Sequence, residues 1–215
     1  MLNTRVLTRS PRSSHSTRAA GILGALIAAS VALSACSGSE DTAAPGSSTS
    51  IPADATFNAA DVTFAQSMIP HHEQAVEMAD LVADRSTDPD VQDLAARIQA
   101  AQEPEIDTLN GWLNSWGADS ADSADSEISG MDHSDMGGMM SEEDMSSLED
   151  ASGVQFDRLW LQMMLEHHTG AVGMAQTEID DGEDPEAIAL AEQIKSSQGT
   201  EITEMEQLLQ SLATQ

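Results

Sequence analysis

The chain has 215 residues, of which 37 are acidic and only eight are basic, so its formal net charge is −29 at pH 7. This charge excludes binding to nucleic acid backbones, which requires Lys and Arg to displace counterions, and it favours cations. The single cysteine excludes intrachain disulfides and thiolate metal sites.

Residues 1–35 have the pattern of a lipoprotein signal peptide. Four arginines precede an apolar run that is too short for a transmembrane helix and ends in Leu33-Ser34-Ala35-Cys36. This ending resembles the lipobox of bacterial lipoproteins, which implies cleavage before Cys36 and a lipid on its sulfur. We therefore expect a protein anchored in the cell membrane on its extracytoplasmic face. Residues 36–56, rich in Gly, Ser, Thr, Pro and Ala, would be a flexible tether.

The next segment predicts a helical hairpin. Apolar residues recur at helical spacing from about Asn58 to Arg85. A second helix begins at Asp88-Pro89, because Asp is a strong N-cap and Pro suits the first helical position, and Gly117 ends it. Pro70 and Pro104 lie inside the two helices, where each removes a backbone hydrogen bond and is expected to kink the helix.

A methionine-rich linker follows, over residues 118–152. Its first part is rich in Asp, Ser and Ala, and the run 131–140 is rich in Met and Gly. Ser141-Glu142-Glu143-Asp144 predicts the start of a short helix, which Gly153 is expected to close.

The rest of the chain repeats the first hairpin. Residues 61–116 and 157–212 align without a gap at an offset of 96, so that Met68–Ala79 returns as Met164–Ala175. A third helix is predicted from about Val154 to Asp180, and a fourth begins at Asp184-Pro185. The sequence has no alternating runs typical of strands. We therefore predict an all-α protein in which residues 57–215 form a four-helix bundle of two duplicated helical hairpins.

Each repeat places a His pair between two methionines on one face of its first helix. At 100° per residue, these side chains share the apolar stripe that faces the core. Buried imidazoles cost free energy unless each nitrogen has a partner. We therefore predict that four imidazoles and four thioethers meet near a pseudo-twofold axis and bind metal: Met68, His71, His72, Met78, Met164, His167, His168 and Met174.

Thioether and imidazole donors together suit copper, and Cu(I) in particular. Neither His pair has a Glu three residues before it, which argues against a di-iron site, while zinc on imidazoles alone stays open. The linker supplies a second, looser candidate site for Cu(I) or Ag(I), because exposed methionines in a Gly-rich run are not core fillers. Its residues are Met131, His133, Met136, Met139 and Met140.

Two glutamines are expected to support the imidazoles. If each hairpin is antiparallel and the first turns near Thr87, then Gln102 is level with His72 and Gln198 with His168. Because both interrupt apolar stripes at equivalent positions, we expect their amides to hydrogen-bond the imidazoles and orient them. Glu105 and Glu201 are the second choice for the same layer.

The paired Met-x-x-His-His segments, the lead-in Phe156–Trp160 and the segment Gly170–Ala175 resemble the bacterial family called domain of unknown function 305 (DUF305). The resemblance runs from about Asp61 to Leu212. It implies a ferritin-like helical bundle that is exported or lipid-anchored, and it implies copper binding or tolerance, as in some members. It also implies metal ligands at the histidines and methionines of the two repeats.

The function expected from these patterns is binding and buffering of copper ions outside the cytoplasm, without catalysis. The expected partners are metal ions, the membrane and an extracytoplasmic copper-handling protein. Two alternatives stay open, namely a ferritin-like metal oxidase and an interaction module whose buried His cluster binds no metal. Oligomeric state does not follow from the sequence.

Overall fold

A computed structural model describes residues 51–118 and 137–214. These two ranges form six helices and no strand, and none of the helices in them is both long and apolar enough to cross a membrane. The prediction of an all-α bundle is thus confirmed. The signal peptide, Cys36 and its tether, and the linker residues Met131, His133 and Met136 lie outside the described residues. The helices are α1 Ala59–Asp80, α2 Val82–Arg85, α3 Pro89–Trp116, α4 Glu142–Asp150, α5 Gly153–Asp181 and α6 Pro185–Leu212.

The start signals of the helices act as predicted. The Asp88 side chain accepts hydrogen bonds from the amides of Asp90 and Val91 at the start of α3. Asp184 does the same for the first turn of α6, and a proline occupies the first position of both helices. Because the first amides of a helix have no partner within it, these caps fix where each hairpin turns.

Two boundaries differ from the prediction. The first helix is interrupted at Leu81, which keeps right-handed helical angles, so α1 and α2 are separated by this one residue. Gly153 does not close the short helix, because α4 already ends at Asp150, with Ala151 as its C-cap. Gly153 instead starts α5 with a φ of 58°, a left-handed conformation that glycine adopts without a steric penalty.

The two hairpins meet through their first helices. α1 pairs most extensively with α3, α5 pairs with α6, and α1 packs on α5. The Trp160 indole at the start of α5 donates to the Met78 carbonyl near the end of α1, at 2.9 Å. At the other end, the Asn58 side-chain amide donates to the Asp181 carbonyl at 2.8 Å. α1 and α5 are therefore antiparallel, as two helices related by a pseudo-twofold axis perpendicular to them are.

A polar layer divides the core at the middle of the four long helices. One apolar cluster contains the end of α1 and the start of α5, and the other contains the start of α1 and the end of α5. Between the two clusters each long helix contributes one pair of buried or nearly buried polar residues. These are His71 and His72 on α1, Gln102 and Glu105 on α3, His167 and His168 on α5, and Gln198 and Glu201 on α6.

Candidate metal centre

Four imidazoles meet in the polar layer. His71, His72, His167 and His168 all have an exposed fraction of zero. His71 and His167 belong to different repeats, and their ring centroids are 3.7 Å apart with the ring planes inclined by 38°. The structure therefore brings the two His pairs together across the pseudo-twofold axis.

Two carboxylates orient the outer imidazoles. His72 Nε2 lies 2.8 Å from Glu105 Oε2, and His168 Nε2 lies 2.8 Å from Glu201 Oε2. In a neutral ring the nitrogen that faces a carboxylate oxygen carries the proton, which leaves the lone pair on Nδ1. Carboxylates hold metal-ligating histidines in this way in many proteins, because the contact fixes both the tautomer and the ring orientation.

The predicted role of the two glutamines is wrong. Gln102 and Gln198 are buried in the layer, but neither hydrogen-bonds an imidazole, and the side-chain oxygen of each has no partner among the described residues. The carboxylate one turn later makes the contact instead. Residues three apart on a helix differ by only 60° in direction, and a carboxylate is the stronger acceptor for an imidazole N–H.

Six imidazole nitrogens in this layer have no hydrogen-bond partner in the described part of the chain. They are both ring nitrogens of His71, both of His167, and Nδ1 of His72 and of His168. A buried polar atom without a partner costs about 1–3 kcal/mol. Six of them would cost on the order of 10 kcal/mol, which is as large as the whole stability of a typical domain. In neutral rings four of the six nitrogens carry lone pairs and two carry protons, so the layer offers four imidazole lone pairs to a ligand that can accept them.

Burial also keeps the inner imidazoles neutral. It lowers the pKa of His71 from 6.5 to about 3, and repulsion from His72 adds to the shift. The backbone of Gly137 acts on this pKa in the opposite direction, from a position that does not meet hydrogen-bond geometry. Burial, followed by repulsion from His71, lowers the pKa of His167 well below its usual value. Both rings therefore offer lone pairs at neutral pH, as metal ligation requires.

The methionines of the two repeats flank the histidines as two pairs. Met78 and Met164 belong to one apolar cluster, and Met68 and Met174 belong to the other. The repeat relates the two pairs, because the offset of 96 converts Met78 into Met174 and Met68 into Met164. Met174 is only partly buried, whereas the other three are fully buried. Thioethers thus lie on both sides of the imidazole layer.

Only the end of the methionine-rich run falls within the described residues. Met140 is buried and belongs to the same apolar cluster as Met78 and Met164, and Met139 is partly buried. These two residues are therefore not part of a freely exposed arm. Met140 packs beside the histidine layer.

The donor set favours a soft metal. Across residues 51–118 and 137–214, no three or more His, Cys, Asp or Glu side chains are arranged to hold a metal ion. The apolar clusters on both sides of the layer contain methionines, and thioether sulfur together with imidazole nitrogen is the combination that copper and silver prefer.

A second buried acidic group lies at one end of α1 and was not anticipated. Asp61 accepts hydrogen bonds from the backbone amides of Asn58 and Asp184, at 2.6 and 2.9 Å. Glu178 is almost completely buried beside it, and burial, followed by the Asp61 carboxylate, raises the pKa of Glu178 to about 8. The repeat contained a signal for this group, because Glu178 occupies the position of Val82, where an apolar residue is expected.

Three comparisons place the chain among known proteins. The sequence model of DUF305, described as a domain of unknown function, matches residues 61–209. A DUF305 protein of Streptomyces coelicolor, described as a candidate secreted protein, is 35% identical with a TM-score of 0.65, and the match covers 72% of this chain and 94% of that one. A DUF305 fragment from Deinococcus radiodurans is 33% identical with a TM-score of 0.64, covering 72% and 97%.

Structures of CopM are also similar. The Cu(II)-bound form is 30% identical with a TM-score of 0.60, and the match covers 70% of this chain and 96% of CopM. CopM has also been solved in Cu(I)-bound and Ag-bound forms. No curated protein matches the chain.

Proposed function

The chain belongs to the DUF305 family, and on that premise we propose that it binds copper ions outside the cytoplasm and stores them or hands them to another protein. The proposed site is the imidazole layer with its flanking thioethers. The protein would act as a binding protein and not as an enzyme.

One observation carries this proposal, namely the six imidazole nitrogens that are buried without a partner. In neutral rings four of these six nitrogens carry a lone pair, one on each histidine, and a metal ion would remove the desolvation cost of these four because it accepts the lone pairs. The lowered pKa of His71 favours the same outcome, since copper does not have to displace a proton from that ring at neutral pH.

The geometry suggests a role for each histidine and for the two carboxylates in holding an ion. The ring faces of His71 and His167 are in contact, so an ion would bind at their nitrogen edges and not between the faces. Glu105 and Glu201 would hold Nδ1 of His72 and His168 toward the ion. Bound copper would only be held by these soft donors, and the proposed function requires no reaction step at the metal.

Four further observations support the copper assignment and the location. A protein of 30% identity, CopM, has been solved with Cu(I), Cu(II) and Ag. The net charge of −29 attracts cations to the surface. The predicted signal peptide and Cys36 favour export and lipid anchoring, and the Streptomyces coelicolor relative, described as a candidate secreted protein, favours export.

The direct test is equilibrium dialysis of the purified protein against Cu(I), Cu(II) and Zn(II). We expect copper to bind, zinc to bind weakly, and copper binding to fall by at least one equivalent when His71, His72, His167 and His168 are all replaced by Ala. Circular dichroism checks that the variant is folded. Unchanged copper binding in the folded variant would refute the site.

Two further measurements distinguish the competing functions. Replacing Met131 and Met136 by Leu tests the linker, and a loss of copper in this variant alone would assign binding to the linker. Oxygen consumption during incubation with Cu(I) tests for an oxidase, which would consume oxygen over many turnovers, whereas a storage protein would not.

A further inference from the structure

The described end of the linker, Gly137–Met140, lies directly on the backbone of α5 beside the histidine layer. A Cβ atom on Gly138 would lie 2.6 Å from the Glu166 carbonyl oxygen and 3.0 Å from that of His167. A Cβ atom on Gly170 would overlap the Gly137 carbonyl oxygen. Gly138 also has a φ of 89°, which favours glycine. The two chain segments touch only because three glycines meet here.

The same segment is held on its other side by α1. The Gln74 side-chain amide donates to the Met140 carbonyl at 2.9 Å, and the Met140 amide donates to Gln74 Oε1 at 2.7 Å. This paired contact satisfies both backbone groups of Met140. The Met140 side chain is buried in the cluster that contains Ala75 and Met78. The segment therefore bridges α1 and α5.

The repeat shows that this bridge is specific. Gln74 and Gly170 are equivalent positions, since the offset of 96 converts one into the other. They lie two residues after the His pair on α1 and on α5, one on each side of the groove between these helices. Gln74 has a long side-chain amide that hydrogen-bonds the segment, whereas Gly170 has no side chain and leaves space for the segment. The two repeats therefore differ at the position where the segment 137–140 crosses the groove between α1 and α5.

The segment also reaches the imidazoles, because the backbone of Gly137 lies close enough to His71 to act on it electrostatically. We propose that Gly137–Met140 is a strap that closes the histidine layer against solvent and must lift before an ion can enter or leave. The identity of the ion rests on the proposed function, whereas the closure of the layer does not.

The closure is tested without metal by the reaction of the buried histidines with diethyl pyrocarbonate, followed by peptide mass analysis. Gly170→Ala places a methyl group where the Gly137 carbonyl lies and should displace the strap. Gly173→Ala is the matched control on the same helix, because its Cβ meets nothing within 4 Å. A strap whose opening costs about 1.4 kcal/mol is open less than a tenth of the time, so its displacement should speed modification about tenfold.

We expect this increase at His71 or His167 in Gly170→Ala and not in Gly173→Ala. Gln74→Ala removes the two hydrogen bonds to Met140 without adding bulk and should give a smaller increase in the modification rate. This variant keeps the test valid if Gly170→Ala does not fold. Equal modification rates in the wild type and all three variants would overturn the strap.

The link to metal is tested by stopped-flow loading of the same proteins with Ag(I). Faster loading in Gly170→Ala, with unchanged capacity at equilibrium, is the expected result, and equal loading rates would overturn the role of the strap in ion entry. If modification accelerates but no protein binds Ag(I) or copper, the strap stands as a closure and the proposed function fails.

Discussion

Replacing His71 and His167, whose rings are in contact, by leucine should stabilise the metal-free protein, although it removes the centre of the site. Leucine has a similar volume and no polar atom, so His71→Leu with His167→Leu eliminates four of the unpartnered nitrogens. At the lower limit of about 1 kcal/mol each, this gains about 4 kcal/mol. The lost contact between the rings, about 1 kcal/mol, and imperfect packing, about 1 kcal/mol, reduce the net gain to about 2 kcal/mol.

Copper should reverse this order. Binding at a hundredfold excess over Kd stabilises the wild type by about 2.7 kcal/mol, and the double variant should gain nothing. The assay is urea unfolding followed by circular dichroism, once with a chelator and once with copper. Met205→Leu is the control, because it changes a buried methionine of the same apolar cluster that is not a proposed ligand, and it should cost less than about 1.5 kcal/mol without metal.

A lower pH should increase the difference in metal-free stability between the wild type and the double variant. The folded pKa of His71 is about 3 and its ordinary value is 6.5, so the unfolded chain binds a proton that the folded protein refuses between these values. The stability of the wild type should therefore fall as pH drops below about 6.5, by up to about 1.4 kcal/mol per pH unit for this residue. The double variant lacks this loss. A double variant that is less stable than the wild type in chelator at pH 7 would refute the reasoning, because it would mean that the nitrogens already have partners.

Two further predictions concern residues outside the metal centre. Glu178 has a folded pKa of about 8 against an ordinary 4.5, so the wild type should lose stability as pH rises through this window. At pH 8 the free energy of unfolding of Glu178→Gln should exceed that of the wild type by about 1–3 kcal/mol, and its unfolding temperature should be higher. At pH 4 the two proteins should differ little. A difference that does not depend on pH would contradict the raised pKa of Glu178. Trp160→Phe removes the hydrogen bond to the Met78 carbonyl and should cost about 1–3 kcal/mol in urea unfolding. Trp116→Phe, which changes a partly exposed indole stacked on Phe57, should cost less, and equal costs would contradict the role of that bond.

Much of the bundle follows from local signals in the sequence. Asp88 and Asp184, each followed by proline, mark the turns of both hairpins because a cap satisfies amides within the same turn. Apolar spacing determines which face of each helix is buried, since that depends only on the period of 3.6 residues. The repeat then predicts that both His pairs turn inward, and the contact between His71 and His167 agrees with this prediction.

The sequence by itself therefore determined the helices, their buried faces and the repeated His and Met positions. Only the tertiary structure decided which neighbour meets each imidazole, with Glu105 in place of Gln102, and that Gly137–Met140 crosses the groove between Gln74 and Gly170. The physical reason is that periodicity fixes the direction of a side chain only to within part of a turn. Contacts between helices depend on their axial level and rotation, which are set by the packing of the whole bundle.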